Sequence, residues 1–309
     1  MYVVMKSLIA MFDKSKRSLI QQGAHYNHLC VFCHFLIHSF IHAFFMHLFI
    51  HHFFSLTRKQ FYSVPIHNIN EEGKLKNMKL NAKKTKVMYV GKGEYRDIEI
   101  DSQILERAFD FIYLGSTKTH NGDCKNDVVR RIAMAKGKMV DLKNIWKDKD
   151  LSLKLKLKIM KVLVWTTVTY GAEGWTLKSD EKKRILAAEM WFHRRLLNVT
   201  YKDRRTNTSI LSELNIEREL FGQVVKRKLT YYGHLSRKKN LNLTKCIVQG
   251  KPEGKRGQGR PRIAYMDNIR QWTGLSTHAA FQAALDRDGW REVTRRAVRA
   301  ANAPMDDAG

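Results

Sequence analysis

Phe109-Asp110-Phe111-Ile112-Tyr113-Leu114-Gly115-Ser116 is the stretch on which the fold turns. Aromatic and β-branched residues fill Phe109–Leu114 and Gly115 closes them, so the segment reads as a strand running into a turn. Upstream, Lys86–Val90 and Ile98–Ile100 read as shorter strands, with Gly91-Lys92-Gly93 as a turn between them. Downstream of Asn126 the apolar period lengthens. Val128, Ile132, Ala135, Met139, Leu142 and Trp146 fall on one helix face.

Helices then dominate. Leu151–Tyr170 begins with alternating Leu and Lys like a strand, yet its length favours a helix with Leu155, Ile159, Val162, Thr166 and Tyr170 on one face. Asp180–Asn198 is a helix capped by Ser179 or Asp180. Ile216–Leu235 is another, and Leu220, Val224, Lys228 and Tyr232 stand four apart along it, an apolar stripe holding one lysine. Gly250–Arg262 is a Gly- and Pro-rich basic loop. Ala279–Ala301 is an Arg-rich amphipathic helix with a break at Gly289. The class is α+β, mostly α: a small β-hairpin region succeeded by a helical bundle. The chain divides into four segments, 1–70, 71–120, 121–245 and 246–309.

Residues 1–70 differ from the rest. Leu29 to Leu56 holds no Lys, Arg, Asp or Glu, and its length would let a helix cross a bilayer. His34, His38, His42, His47, His51 and His52 interrupt it, and a desolvated imidazole is costly in lipid. Three readings stand: a membrane helix contacting anionic lipid, a metal-holding stripe of His34, His38 and His42, and sequence never selected as protein. The last is preferred, because this composition matches nothing in residues 71–309. Cys30-Val31-Phe32-Cys33 has the spacing of half a zinc site, but no second pair comes after it. With Cys124 and Cys246 the cysteines imply no disulfide framework and a reducing compartment, nuclear or cytoplasmic.

Charge narrows the function. The 309 residues carry 56 Lys and Arg against 29 acidic residues, a net charge of +27. The excess continues through helical segments and suits a polyanion, nucleic acid above all. A phosphate-cradling GxxxxGK[ST], an HExxH and a GxSxG are all absent from the sequence, so no small-molecule substrate, cofactor or metal is expected.

Several blocks, taken in order, carry a resemblance. They begin with Lys79-Leu80-Asn81-Ala82-Lys83-Lys84-Thr85-Lys86-Val87-Met88 and Phe111-Ile112-Tyr113-Leu114-Gly115-Ser116. Tyr170-Gly171-Ala172-Glu173-Gly174-Trp175-Thr176-Leu177 and Glu189-Met190-Trp191-Phe192-His193-Arg194-Arg195 come next. Tyr231-Tyr232-Gly233-His234-Leu235, Gly259-Arg260-Pro261-Arg262 and Asp286-Arg287-Asp288-Gly289-Trp290-Arg291 complete the series. In this number and order they make residues 69–301 resemble the C-terminal part of a LINE-type (non-LTR) retrotransposon endonuclease–reverse transcriptase.

The resemblance implies a division of labour. The Lys84–Lys86 region corresponds to the segment after the catalytic palm strand, where a lysine approaches the triphosphate. Phe111–Gly115, with Tyr113, Leu114 and Gly115 at its end, corresponds to the primer grip. The helical remainder of the chain corresponds to the thumb and C-terminal region, which hold template and primer, RNA or DNA. The carboxylates that bind two catalytic metals should precede Lys79. Between Met1 and Asn70 the only acidic residue is Asp13, so the chain is expected to be a remnant that binds template and primer but does not polymerise, the alternative being a membrane-anchored basic protein with an N-terminal transmembrane helix. Met305-Asp306-Asp307 has the letters of a polymerase box but lies after the thumb, without flanking apolar strands.

Two clusters of cations complete the expected contacts. Arg260 and Arg262 resemble the core of an AT-hook, with Gln258 where its first arginine would stand, so phosphate contact is expected there rather than minor-groove reading. Lys226, Arg227 and Lys228 are adjacent cations expected to touch backbone phosphates. Tyr231, Tyr232, Trp272 and Trp290 could stack on bases, but core packing is the plainer reading.

Overall fold

The structure, a computed structural model, describes residues 64–75, 77, 80–89, 97–238, 248 and 263–303. The apolar run 29–56, the Cys30–Cys33 pair, the Gly91–Gly93 turn, the basic loop 250–262 and Asp306–Asp307 lie outside the described residues. No helix among the described residues is long and apolar enough to cross a membrane. The protein is α+β and mainly α, with short strands first and helices after. Its described residues group into two compact units: those up to Tyr113 with Thr119–Gly122, and Leu114–Lys118 with those from Asp123 onward.

In the first unit, α1 (Val64–Leu75) is succeeded by β1 (Lys86–Val87), β2 (Glu99–Ile100), β3 (Gln103–Ile104) and β4 (Glu106–Arg107). β1 pairs in parallel with β4, setting Lys86 beside Glu106 and Val87 beside Arg107. β1 covers Lys86–Val87 of the expected Lys86–Val90, of which Val90 lies outside the described residues. β2 and β3 form an antiparallel hairpin turned by Asp101 and Ser102, with φ of 48° and 61°. Such a two-residue left-handed turn suits the twist of paired strands. Leu80, Val87, Ile98, Ile100 and Leu105 form the unit's small core. β5 (Asp110–Tyr113) ends this stretch of the first unit, and the chain passes through Leu114 and Gly115, with φ of 47° and 75°, into β6 (Ser116–Thr119), whose first three residues belong to the second unit.

The second unit is helical. It runs α2 (Lys125–Asp141), α3 (Lys143–Lys147), α4 (Leu153–Ile159), a π-helical stretch Met160–Trp165 and α5 (Thr166–Val168). After these come α6 (Ser179–Leu196), α7 (Asn207–Leu214), α8 (Leu220–Ser236), α9 (Tyr265–Thr273), α10 (Thr277–Leu285) and α11 (Arg287–Asn302). The expected α2 face is largely buried, with Val128, Ile132, Ala135, Met139 and Trp146 all in the core. α8 lies centrally against α6, α10 and α11. Its stripe Leu220, Val224, Lys228 and Tyr232 is wholly interior, and each apolar member contributes about 2 kcal/mol by leaving water.

Three helix details differ from expectation. α4 is a helix, but Leu155 and Val162 are exposed while Lys156, Met160, Val164 and Val168 are buried. That face repeats every fourth residue, and the wider π turn keeps such a spacing in line. Lys156 is interior because its ammonium donates to Trp146 O at 3.0 Å and Asp148 O at 2.5 Å, closing the end of α3. α6 starts from Lys178 rather than Ser179 or Asp180, with Glu181 accepting the Lys178 N–H at 2.9 Å. The C-terminal break falls at Asp286, not Gly289. The Asp286 carboxylate accepts from the N–H groups of Asp288 and Gly289, both at 3.0 Å, and so starts α11.

Candidate nucleic-acid interface

The turn Leu114–Gly115 is fastened by side chains from elsewhere in the second unit. Asp127, in the first turn of α2, is 1% exposed. Its carboxylate accepts from Thr117 N–H at 2.7 Å, Ser116 Oγ at 3.0 Å and Trp175 Nε1 at 2.8 Å. Its position at the helix start also suits a negative charge. One turn further, Arg130 Nη1 donates to Gly115 O at 2.9 Å, and Arg131 Nη2 reaches the same oxygen. The Arg131 guanidinium lies 4.2 Å from the centre of the Tyr170 ring, and Tyr170 OH donates to Leu114 O at 3.0 Å.

The turn 114–117 and the 170–177 block, far apart in sequence, thereby meet. The turn's two carbonyls and the start of β6 are all held by side chains, and what remains free is the Leu114 side chain. It is 54% exposed, in a left-handed conformation that costs a branched residue about 1 kcal/mol. Ile112, two residues earlier, is 51% exposed.

Other blocks of the series also meet, and they build the fold. Glu189 of α6 is buried and accepts from the N–H groups of Glu219 at 2.7 Å and Leu220 at 2.8 Å, satisfying the start of α8. Burial pushes its carboxyl above the usual carboxylate range. Gly233 of α8 gives Trp290 of α11 its room: a Cβ there would stand 2.5 Å from the indole. Trp290 Nε1 donates to Leu229 O at 2.8 Å, so the 231–235 and 286–291 blocks form one helix–helix contact. Tyr232 and Trp290 are core residues, and Trp272 is half-buried with its ring edge against Phe221. Tyr231 is partly exposed.

The expected contact residues fall in different places. In the first unit, Lys84 is exposed at the end of a short 3-10 turn, and Lys86 pairs with Glu106 at 2.5 Å. Tyr113 is half-buried at the end of β5. In the second unit, Leu114 and Gly115 form the braced turn, and Lys226 and Arg227 are exposed on α8. Arg260 and Arg262 lie outside the described residues.

Lys228 is a correction. It is 0% exposed, and its ammonium donates to Trp175 O at 2.6 Å and Asn268 Oδ1 at 3.0 Å, over the Tyr265 ring at 3.9 Å. Three consecutive helical residues spread over about 200° of arc, so one of the three had to face the core. Burial pulls its pKa down to about 7.

Sequence reading missed Asp127, Arg130 and Arg131. Their spacing of three and four places them on one side of α2, but nothing local shows that the Gly115–Thr117 turn lies against that side. Among the described residues no cluster of three His, Cys, Asp or Glu side chains could hold a metal ion.

Against known proteins, the chain is 26% identical to a transposon-derived protein of Caenorhabditis elegans over 204 residues, 62% of this chain and 72% of that protein. No protein-family description matches it, and no solved structure does. The chain thus has a transposon-derived homologue.

Proposed function

We propose that this chain is the primer-grip and thumb portion of a LINE-type reverse transcriptase, and that it binds template–primer nucleic acid. The order of its sequence blocks, the net charge of +27 and the transposon-derived homologue support this reading. The observation that carries it is Leu114. A turn selected for stability alone would hold Asn or Gly at a φ of 47°, yet a branched apolar residue stands there, strained and exposed, on a turn braced by Asp127, Arg130, Arg131 and Tyr170. A rigid backbone presenting an apolar tip suits packing against the sugar and base at a primer end.

Polymerisation needs carboxylates that hold metal ions on a palm strand. Under this reading the chain is a remnant whose role is grip alone.

Leu114→Asn separates the two roles of the turn. It relieves the strained conformation, so the melting temperature should rise, by the equivalent of about 1 kcal/mol. It also removes the apolar tip, so affinity for an RNA template carrying a DNA primer with a recessed 3′ end should fall tenfold or more. Unchanged affinity in Leu114→Asn would remove the turn from the interface.

A further inference from the structure

α8 and α11 pack antiparallel. Gly233 meets Trp290, Gly222 meets Asn302, and Arg237 Nη1 donates to Ala284 O at 2.8 Å, just ahead of α11. Between the two helices runs an open groove of about 730 Å³. One wall is formed by Lys226, Thr230 and His234, four residues apart on α8. The other is Arg287, Arg291, Arg295 and Arg299, four apart on α11. Four helical residues advance about 6 Å, so these arginines form a row roughly 18 Å long. Trp290, Thr294 and Val298 lie between the walls.

The electrostatics are one-sided. With Arg237, six Lys and Arg line the groove against the single carboxylate of Glu217. Arg291 pairs with Asp288 at 2.7 Å and Arg295 pairs with Glu292, but both pairs are well exposed, and such pairs contribute about 0–1 kcal/mol. A phosphate can displace them at little cost. Arg287 and Arg299 make no ion pair among the described residues. The guanidinium fork matches phosphate oxygens in pairs of hydrogen bonds.

We propose that this groove holds one strand of single-stranded nucleic acid by its phosphates, along the arginine row of α11. This inference rests on the nucleic-acid reading above but concerns a surface apart from the Leu114 turn. A single strand is specified because the walls belong to two packed helices, whose axes lie about 8–10 Å apart. Such a trough admits one backbone, and cations face it from both sides.

The test uses the full chain, a labelled oligouridylate and a salt series. The groove variant is R287Q/R291Q/R295Q/R299Q. The control is K143Q/K147Q/K149Q/K154Q, which removes the same charge from exposed positions on α3, α4 and the loop between them. For single strands each phosphate contact contributes about 0.7 to the slope of log affinity against log salt. The groove variant should lose about 3 from that slope while the control changes little.

Equal losses in both variants would overturn the groove, since bulk charge would then suffice. A loss for duplex DNA as large as for the single strand would overturn the one-strand assignment. R287Q/R299Q, which leaves both ion pairs intact, should lose about half as much and decides the matter if the quadruple variant melts early. Failure of the unmodified chain to bind any nucleic acid would sink the function reading itself. Binding that survives unchanged in the groove variant would sink only this inference.

Discussion

Replacing Asp127 by alanine should release the Leu114–Gly115 turn from the helices of the second unit. The carboxylate accepts three hydrogen bonds in a site that is 1% exposed, and two of the donors, Thr117 N–H and Trp175 Nε1–H, are themselves buried. Alanine orphans both. Each buried unsatisfied donor costs about 1–3 kcal/mol, so the loss should be about 2–6 kcal/mol, with Ser116 Oγ able to turn toward water instead. For a unit of this size that is a fall in melting temperature on the order of 10 °C.

Asp127→Asn is the graded companion. It keeps one acceptor oxygen and should lose roughly half as much. Urea and thermal unfolding monitored by tryptophan fluorescence give the stabilities, because Trp175 is one of the partners. Hydrogen exchange at the Thr117 amide, which should quicken in the alanine variant, localises the effect. A loss under about 1 kcal/mol with Thr117 still protected would refute the bracing role.

Other expectations rest on single residues. His193 is buried with no hydrogen-bond partner on either ring nitrogen, and burial with Lys161 and Arg218 nearby pulls its pKa down to about 4 from 6.5. Between those values the unfolded chain takes up a proton that the folded chain refuses, so stability should fall as pH drops below about 6.5. His193→Leu should therefore gain about 2 kcal/mol over the natural chain at pH 5 relative to pH 7, read from urea melts at each pH. Lys228, held near a pKa of about 7 against 10.5, has the same sign in a higher window. Stability should climb by up to about 1.4 kcal/mol per unit from pH 7 to about 8.5, and the climb should vanish in Lys228→Met. Gly233→Ala would drive a methyl into the Trp290 indole and should cost about 1–3 kcal/mol with a changed near-UV spectrum. Gly137→Ala, mid-α2 with nothing within 4 Å, should stabilise by about 0.5–1 kcal/mol in the same melts.

Helices and turns that depend on local patterning were legible. The α2 face and the interior stripe of α8 come from residue spacing alone, and Leu114–Gly115 was readable as a strand end. What escaped the sequence depends on partners far along the chain. Lys228 stood in the apolar stripe and in a run of cations, and only its distant acceptors Trp175 O and Asn268 Oδ1 show that the stripe prevailed. The face of α4 was misassigned from its first turns, where Leu155 is exposed and Lys156 takes the interior position because Trp146 O and Asp148 O accept from its ammonium. Gly289 drew the break to itself as the obvious helix breaker. Asp286 makes the cap, and Gly289 donates its N–H to the Asp286 carboxylate. The arginine row of α11 was visible as a charged helix, but only the packing of α8 makes it one wall of a groove.

Binding of the full chain to single-stranded RNA, duplex DNA and an RNA–DNA hybrid across a salt series tests the central claim most directly. The expected result is tightest binding to the hybrid with a recessed 3′ end, with affinity falling steeply as salt rises. No binding to any of the three at low salt would contradict a surviving template–primer grip.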